Sequence, residues 1–143
     1  MSKRIAVTTS SFGKEHEAAW QAFRKKGFEI VFNPYGRSLK EEEIVPLIKG
    51  SIGVIAGTEN YSPAVLKNLL DLKVISRCGV GIDNIDAAAA KARKLKLFNT
   101  PEGPTLAVAE LVIGLMLDLL RNISQMDREV RQGVWSKKMG FLL

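Results

Sequence analysis

Five short apolar runs alternate with segments that carry helical spacing or helix-capping residues, and this alternation constrains the chain more than any other feature. The runs are Ile5-Ala6-Val7, Phe28 to Phe32, Gly53 to Ala56, Val74 to Ser76 and Leu95 to Phe98. Each has the length of a strand and is too short for a helix. Lys14 to Lys26 has Ala18, Ala19, Ala22 and Phe23 at helical spacing, with Gly27 as its stop. Ser38 and Glu41 form a capping box for a helix to Lys49, and Ser62-Pro63 sets a cap residue before a first-turn proline. Alanines at 87 to 90 lie in a helix expected from about Asn84 to Lys94.

Strands that alternate with helices must run parallel, because each crossover returns the chain to the same edge of the sheet. The expected fold class is therefore α/β: a flavodoxin-like, doubly wound, parallel five-stranded sheet of order 2-1-3-4-5. A long helix follows the hydroxyl of Thr105, which is expected to cap it. From Leu106 to Leu120 its apolar residues point in nearly every direction. A helix that is apolar all round is buried all round, so this one is expected to lie between the sheet domain and another domain or subunit. Residues 1–100 then form one lobe, and residues 101–143 a hinge and interdomain helices.

Composition narrows the function classes. Apolar residues make up 46% of 143, enough for one packed core. The start, Met1-Ser2-Lys3-Arg4 before a short strand, does not read as a signal peptide. The longest apolar run, near Leu111 to Leu120, is interrupted by Asp118, so no membrane span is expected. A single cysteine rules out a disulfide framework and fits a reducing, cytoplasmic setting. Net charge is +6, but the basic residues scatter to helix ends and no aromatics interleave with them, so nucleic acid is not the expected partner. The positive field would instead attract a small anion.

In open α/β sheets ligands bind beyond the carboxyl ends of the strands. That edge gathers Thr8 to Gly13, Asn33 to Ser38, Gly57 to Tyr61, Arg77 to Asn84, and Asn99 to Pro104. Of these, Gly79-Val80-Gly81-Ile82-Asp83-Asn84 is the most informative. It begins like the dinucleotide pattern G-x-G-x-x-G but has asparagine in the third place, and Phe98-Asn99 stands where the next strand should end in an acidic residue. NAD binding by this loop is therefore rejected. Two readings stay open for it: a tight structural turn, or backbone N–H donation to a carboxylate or phosphate oxygen, aided by the helix start expected at Asp83-Asn84.

The other candidates are weaker. Thr8 to Ser11 reads as a solvated turn with a hydroxyl cap, and less well as a flavin-phosphate loop. A response-regulator site needs acidic residues after the first strand and an aspartate after the third, and Thr8-Thr9 and Gly57-Thr58 occupy those places, so that reading fails. His16 is expected on a surface helix without a partner. Cys78 beside Arg77 reads as a small strand-end residue, since no histidine is near to activate it. No Cys/His cluster has metal-ligand spacing.

The run Leu72-Lys73-Val74-Ile75-Ser76-Arg77-Cys78-Gly79-Val80-Gly81-Ile82-Asp83-Asn84-Ile85-Asp86 resembles the D-isomer-specific 2-hydroxyacid dehydrogenases, which include the phosphoglycerate dehydrogenases. So do Asn99-Thr100-Pro101, Ala107-Val108-Ala109-Glu110-Leu111 and Gly57-Thr58-Glu59. The resemblance implies a substrate lobe and an NAD-binding Rossmann lobe joined by the long helix. It implies that the backbone of Val80 and Gly81, with Cys78 and Gly79 beside them, holds the substrate carboxylate. Thr58, Glu59 and Asn60 would approach the rest of the substrate, and Thr105 would come near the nicotinamide. The family's catalytic arginine, acidic residue and histidine have no match at Arg77, Glu110 or His16.

The expected role is thus the substrate-binding part of an NAD-dependent D-2-hydroxyacid dehydrogenase, acting on a small 2-hydroxy or 2-keto acid. It is expected to bind no NAD and to be inactive by itself. An alternative is a stand-alone carboxylate-binding or regulatory module that recruits a partner, or a second copy, through helix 106–120.

Overall fold

Residues 3–10, 12 and 17–142 are described by the computed structural model. They fall into two compact units, residues 1–101 and 102–143. In the first, β1 (Arg4–Val7), β2 (Glu29–Phe32), β3 (Gly53–Ala56), β4 (Val74–Arg77) and β5 (Lys96–Asn99) form one parallel sheet of order β2-β1-β3-β4-β5. The strand order is the one the alternation predicts. The fifth strand starts one residue later than the sequence suggests: Leu95 is buried beside the strand start, and Lys96 opens the pairing opposite Val74.

Helices α1 (Glu17–Lys25), α2 (Glu41–Ile48), α3 (Pro63–Asn68) and α4 (Ala87–Ala92) connect the strands. Successive strand side chains point to opposite faces. In β3, Val54 and Ala56 are therefore buried while Gly53 and Ile55 are half-buried. The buried face meets Ile44 and Ile48 of α2, Val65 and Leu66 of α3, and Ala90 of α4 in one hydrophobic cluster.

Local details differ from the sequence reading where tertiary packing decides. In α1 the alanines 18, 19 and 22 are exposed, and the inward side is set by Trp20, whose ring meets Phe32 edge-on at 5.0 Å and Phe12 at 5.4 Å. An indole buries far more area than three methyl groups, so it fixes the helix rotation. The capping box proposed at Ser38 and Glu41 is displaced. Helix α2 begins at Glu41 after Lys40, whose N–H donates to Glu43 Oε2 at 2.8 Å. At α3 the expected cap is present: Val65 N–H donates to Ser62 Oγ at 3.3 Å. At the end of α3 the Arg93 guanidinium donates to the carbonyls of Leu66, Leu69 and Leu70, of which Leu66 O also accepts Leu69 N–H and Leu69 O accepts Leu72 N–H.

Residues 102–143 contain α5 (Thr105–Arg121) and α6 (Ile123–Arg131). Asn122, in the left-handed conformation at φ 54°, joins them. Thr105 does not cap α5: it is the first helical residue, Pro104 occupies the cap position, and no side chain bonds the first turn. No residue of α5 is buried; Leu106, Leu111, Leu115 and Leu119 are more than half exposed. Among the described residues no helix is long and apolar enough to cross a membrane.

Candidate functional site

The carboxyl edge of the sheet carries the site. β4 ends in Arg77, and the chain then turns through Cys78-Gly79-Val80-Gly81. Gly79 has φ +139°, and a Cβ there would collide with the Arg77 guanidinium folded across it. The backbone angle is what requires glycine here, since the Arg77 guanidinium is the end of a flexible side chain and can swing away.

The neighbouring strand end holds this turn. Gly79 N–H donates to Thr100 Oγ1 at 2.8 Å, and Thr100 N–H donates back to Gly79 O at 3.0 Å. Asn99 Nδ2 donates to Val80 O at 2.7 Å. The Asn99-Thr100 pair after β5 therefore fixes the glycine loop from outside. The Gly79 amide is satisfied internally, which sets it apart from its two followers. Among the described residues the N–H groups of Val80 and Gly81 have no acceptor, and both residues are exposed. Two successive free amides on a fixed turn are a ready donor pair for a carboxylate or phosphate oxygen.

The helix dipole adds less than expected. α4 starts at Ala87, not at Asn84, and Asp86 Oδ1 accepts Ala89 N–H at 2.7 Å. Residues 82–86 form a separate turn, closed by Ile85 N–H to Ile82 O at 2.9 Å. The free amides thus belong to a backbone turn and not to a helix N-terminus. The third glycine of the dinucleotide pattern is absent, and one first-turn amide of α4, Ala89 N–H, is already taken by Asp86.

Facing this turn is the loop after β3. Thr58 and Asn60 are exposed, but Glu59 is buried and points inward. Its Oε2 accepts Gly57 N–H at 2.8 Å and Thr8 Oγ1 at 3.1 Å. Thr8 Oγ1 also lies 3.0 Å from the Tyr61 hydroxyl. Burial, with the Glu59 carboxylate nearby, pushes the Tyr61 phenol well above its ordinary value, although its bond to Thr8 opposes this. The solvated turn expected at Thr8 is corrected accordingly. Thr8 and Thr9 are buried, with Thr8 bonded into this cluster, while Ser10 is exposed. Ser11 and His16 lie outside the described residues.

Thr58, Arg77, Gly81, Asp83 and Asn84 line a shallow cavity of about 180 Å³. Arg77 Nη1 donates to Cys78 O at 3.1 Å, and its buried Nε has no partner. The cavity is lined by one cationic side chain, Arg77. Thr58 Oγ1 is 3.2 Å from Ser38 Oγ, so the loop after β2 reaches the rim. Cys78 is a half-buried free thiol whose N–H donates to Ala56 O at 2.8 Å. Thr105 belongs to the other unit, where it opens α5.

Sequence reasoning placed Ser38, Asn84 and Thr100 on the ligand edge but gave none of them a role there. Thr100 carried a signal, since a hydroxyl residue before Pro101 stands in an extended backbone at a strand end. A larger apolar groove of about 570 Å³ runs along α6 beside Val134 and Trp135. Its rim charges Glu129 and Lys138 are paired at 2.6 Å, and it offers no comparable set of free donors.

A doubly wound parallel sheet of order 2-1-3-4-5, with a glycine turn bearing free amides at its carboxyl edge, is the α/β architecture found in dehydrogenase domains. The model of the D-isomer specific 2-hydroxyacid dehydrogenase catalytic domain matches residues 5–138, and the chain belongs to that family. It is 38% identical over 122 residues to D-3-phosphoglycerate dehydrogenase of Archaeoglobus fulgidus, covering 85% of this chain and 23% of that one. It is 30% identical to hydroxypyruvate reductase of Thermotoga maritima, covering 87% of this chain and 40% of the relative. The chain thus spans less than half the length of these relatives. Its fold is similar to the TT0316 protein from Thermus thermophilus, with TM-score 0.82 and 29% identity over 94% of this chain and 42% of that one. It is also similar to NAD+-bound 3-phosphoglycerate dehydrogenase of Entamoeba histolytica, with TM-score 0.72 and 30% identity over 85% and 40%.

Proposed function

We propose that this chain supplies the substrate-carboxylate half of an NAD-dependent D-2-hydroxyacid dehydrogenase site. The observation that carries the reading is the pair of unpartnered N–H groups on Val80 and Gly81, next to the cavity that Gly81 and Arg77 line. The two amides receive the carboxylate. Thr58, with Asn60 next to it, meets the remainder of the substrate, and Glu59 stays behind the surface. Arg77 provides charge for a second anionic group, so a phosphorylated 2-hydroxy acid such as D-3-phosphoglycerate is the favoured substrate. The dehydrogenases of this name among the relatives support the same choice. A soluble cytoplasmic setting goes with such a metabolite.

Hydride transfer needs a nicotinamide and an acid/base group at the substrate hydroxyl. The Gly79–Asn84 turn does not fit a dinucleotide, so those parts must come from a second lobe, with Thr105 at the approach to it. Chemical-shift titration of the ¹⁵N-labelled chain tests the binding claim. D-3-phosphoglycerate should shift Val80 and Gly81 and should bind more tightly than D-glycerate. Equal affinities would remove Arg77 from the site, and no shift would remove the carboxylate reading. An NADH-coupled assay at high protein concentration should show no turnover; activity surviving repurification would overturn the division of labour.

A second reading is favoured by one observation, the exposed apolar surface of α5. In it the chain is a carboxylate-binding or regulatory module that associates with itself or with a partner through residues 106–120. Gel filtration separates the readings, since a clean monomer at high concentration argues against recruitment.

A further inference from the structure

The carboxylate reading leaves two residues at the site without a direct role toward ligand. Glu59 is 3% exposed, and Asn84 has both side-chain N–H groups engaged. We propose that Glu59 and Asn84 are positioning residues that fix the Thr58 tip relative to the Val80 and Gly81 amides. This inference rests on the carboxylate reading above.

The hydrogen bonds make the case. Asn84 Nδ2 donates to Gly57 O at 3.1 Å and to Glu59 O at 2.7 Å. One carboxamide thus grips the carbonyls of the two residues that flank Thr58. The main chain repeats the link, with Tyr61 N–H to Asn84 O at 2.7 Å and Asp86 N–H to Tyr61 O at 3.1 Å. From beneath, the Glu59 carboxylate accepts Gly57 N–H at 2.8 Å and the Thr8 hydroxyl at 3.1 Å. Gly57 and Glu59 are therefore each held twice, by Asn84 through their carbonyls and through the Glu59 side chain. Thr58 is left as the exposed tip between them.

A direct ligand role fits these residues poorly. Asn84 has spent both donors and offers a carboxylate only an acceptor oxygen. The Glu59 carboxylate is buried and carries the charge of the ligand it would have to meet. What both control is the spacing of two loops. A displacement of about 1 Å there is enough to separate a donor pair from its acceptor.

The full chain, ¹⁵N-labelled, is titrated with D-glycerate while Val80 and Gly81 are followed, and the β-sheet amides and thermal midpoint report the fold. Asn84→Ala and Glu59→Ala should each weaken binding about tenfold while the sheet amides stay in place. Glu59→Gln should recover most of the affinity, because its amide can still accept from Gly57 N–H and meet the Thr8 hydroxyl. Wild-type binding by Asn84→Ala would overturn the inference and leave the carboxylate reading standing. A Glu59→Gln variant as weak as Glu59→Ala would also overturn it, since charge and not hydrogen-bond geometry would then be in use. A wild-type chain silent at Val80 and Gly81 would instead remove the carboxylate reading, and this inference with it. If Glu59→Ala does not fold, Asn84→Ala and Glu59→Gln decide the matter.

Discussion

Thr100 and Gly79 close on each other from both sides: the glycine N–H donates to the threonine hydroxyl at 2.8 Å, and the threonine N–H donates to the glycine carbonyl at 3.0 Å. This reciprocal pair ties the end of β5 to the turn after β4. It also separates the satisfied amide of Gly79 from the free amides that follow. Thr100→Val keeps the shape and removes the acceptor. It should cost about 1 kcal/mol in urea unfolding and broaden the Val80 and Gly81 resonances. Thr100→Ser should do neither. Equal effects from both variants would show that the hydroxyl is not what holds the turn.

Gly57 answers to space and not to backbone angle. A Cβ there would meet Thr9 Cβ at 3.0 Å and both Glu59 Oε1 and the Thr9 Cα at 3.1 Å. The threonine backbone cannot give way cheaply, so Gly57→Ala should destabilise by about 1–3 kcal/mol, as overpacking does. Gly53 is the control, because its nearest neighbours lie at 3.9 Å. Gly53→Ala should be neutral, or stabilising by up to about 1 kcal/mol through the unfolded chain. Denaturant midpoints that do not separate the two would remove the steric argument.

The Arg37 guanidinium meets Glu43 with both nitrogens at 2.8 Å. Together with the Lys40 N–H, it lowers the Glu43 carboxyl from 4.5 to about 2. A carboxyl depressed in the folded state contributes stability above its unfolded value. That contribution should disappear as pH falls from about 4.5 to about 2. Carboxyl-carbon NMR should place the Glu43 midpoint in this window, and Arg37→Met should move it upward. An ordinary midpoint in the wild-type chain would mean that the pair is not formed in solution.

Tyr61 has the opposite sense. Burial raises its phenol above the ordinary 10.0, so the folded chain keeps a proton that the unfolded chain loses. The contribution is intact below pH 10 and is lost as pH rises beyond it. The Tyr61 phenolate absorbance should therefore appear together with loss of the far-UV circular dichroism signal, and Tyr61→Phe should abolish that late step. Ionisation of Tyr61 in a chain that stays folded would show that the hydroxyl is open to water.

The strand order was legible because each apolar run stands between helix signals, and parallel pairing leaves few topologies. The free amides of Val80 and Gly81 were legible for a similar reason, since the glycines lie within one turn. Residues that act across the sheet were not. Nothing near Asn84 in sequence shows that its carboxamide crosses to Gly57 and Glu59, 27 and 25 positions away. Glu59 misled for the same reason: an acidic residue in a ligand-edge loop reads as exposed until Thr8 and Gly57 are seen to bury it. In α1, regular alanine spacing outweighed Trp20 in the reading, whereas buried area gives the indole the deciding vote.

Helix α5 supports the last prediction. Leu115 is 53% exposed and Leu119 77% exposed, one turn apart on the same face. At ~25 cal/mol per Å² of apolar surface, covering a few such side chains is worth several kcal/mol, enough to drive association. The chain should therefore elute above its monomer mass, with the shift growing with concentration. Leu115→Glu with Leu119→Glu places two like charges on that face. The double variant should be a more soluble monomer with an unchanged urea midpoint for residues 1–101, because their core does not include these leucines. A lowered midpoint would instead show that the face belongs to the core, and α5 would lose its claim to be a docking surface.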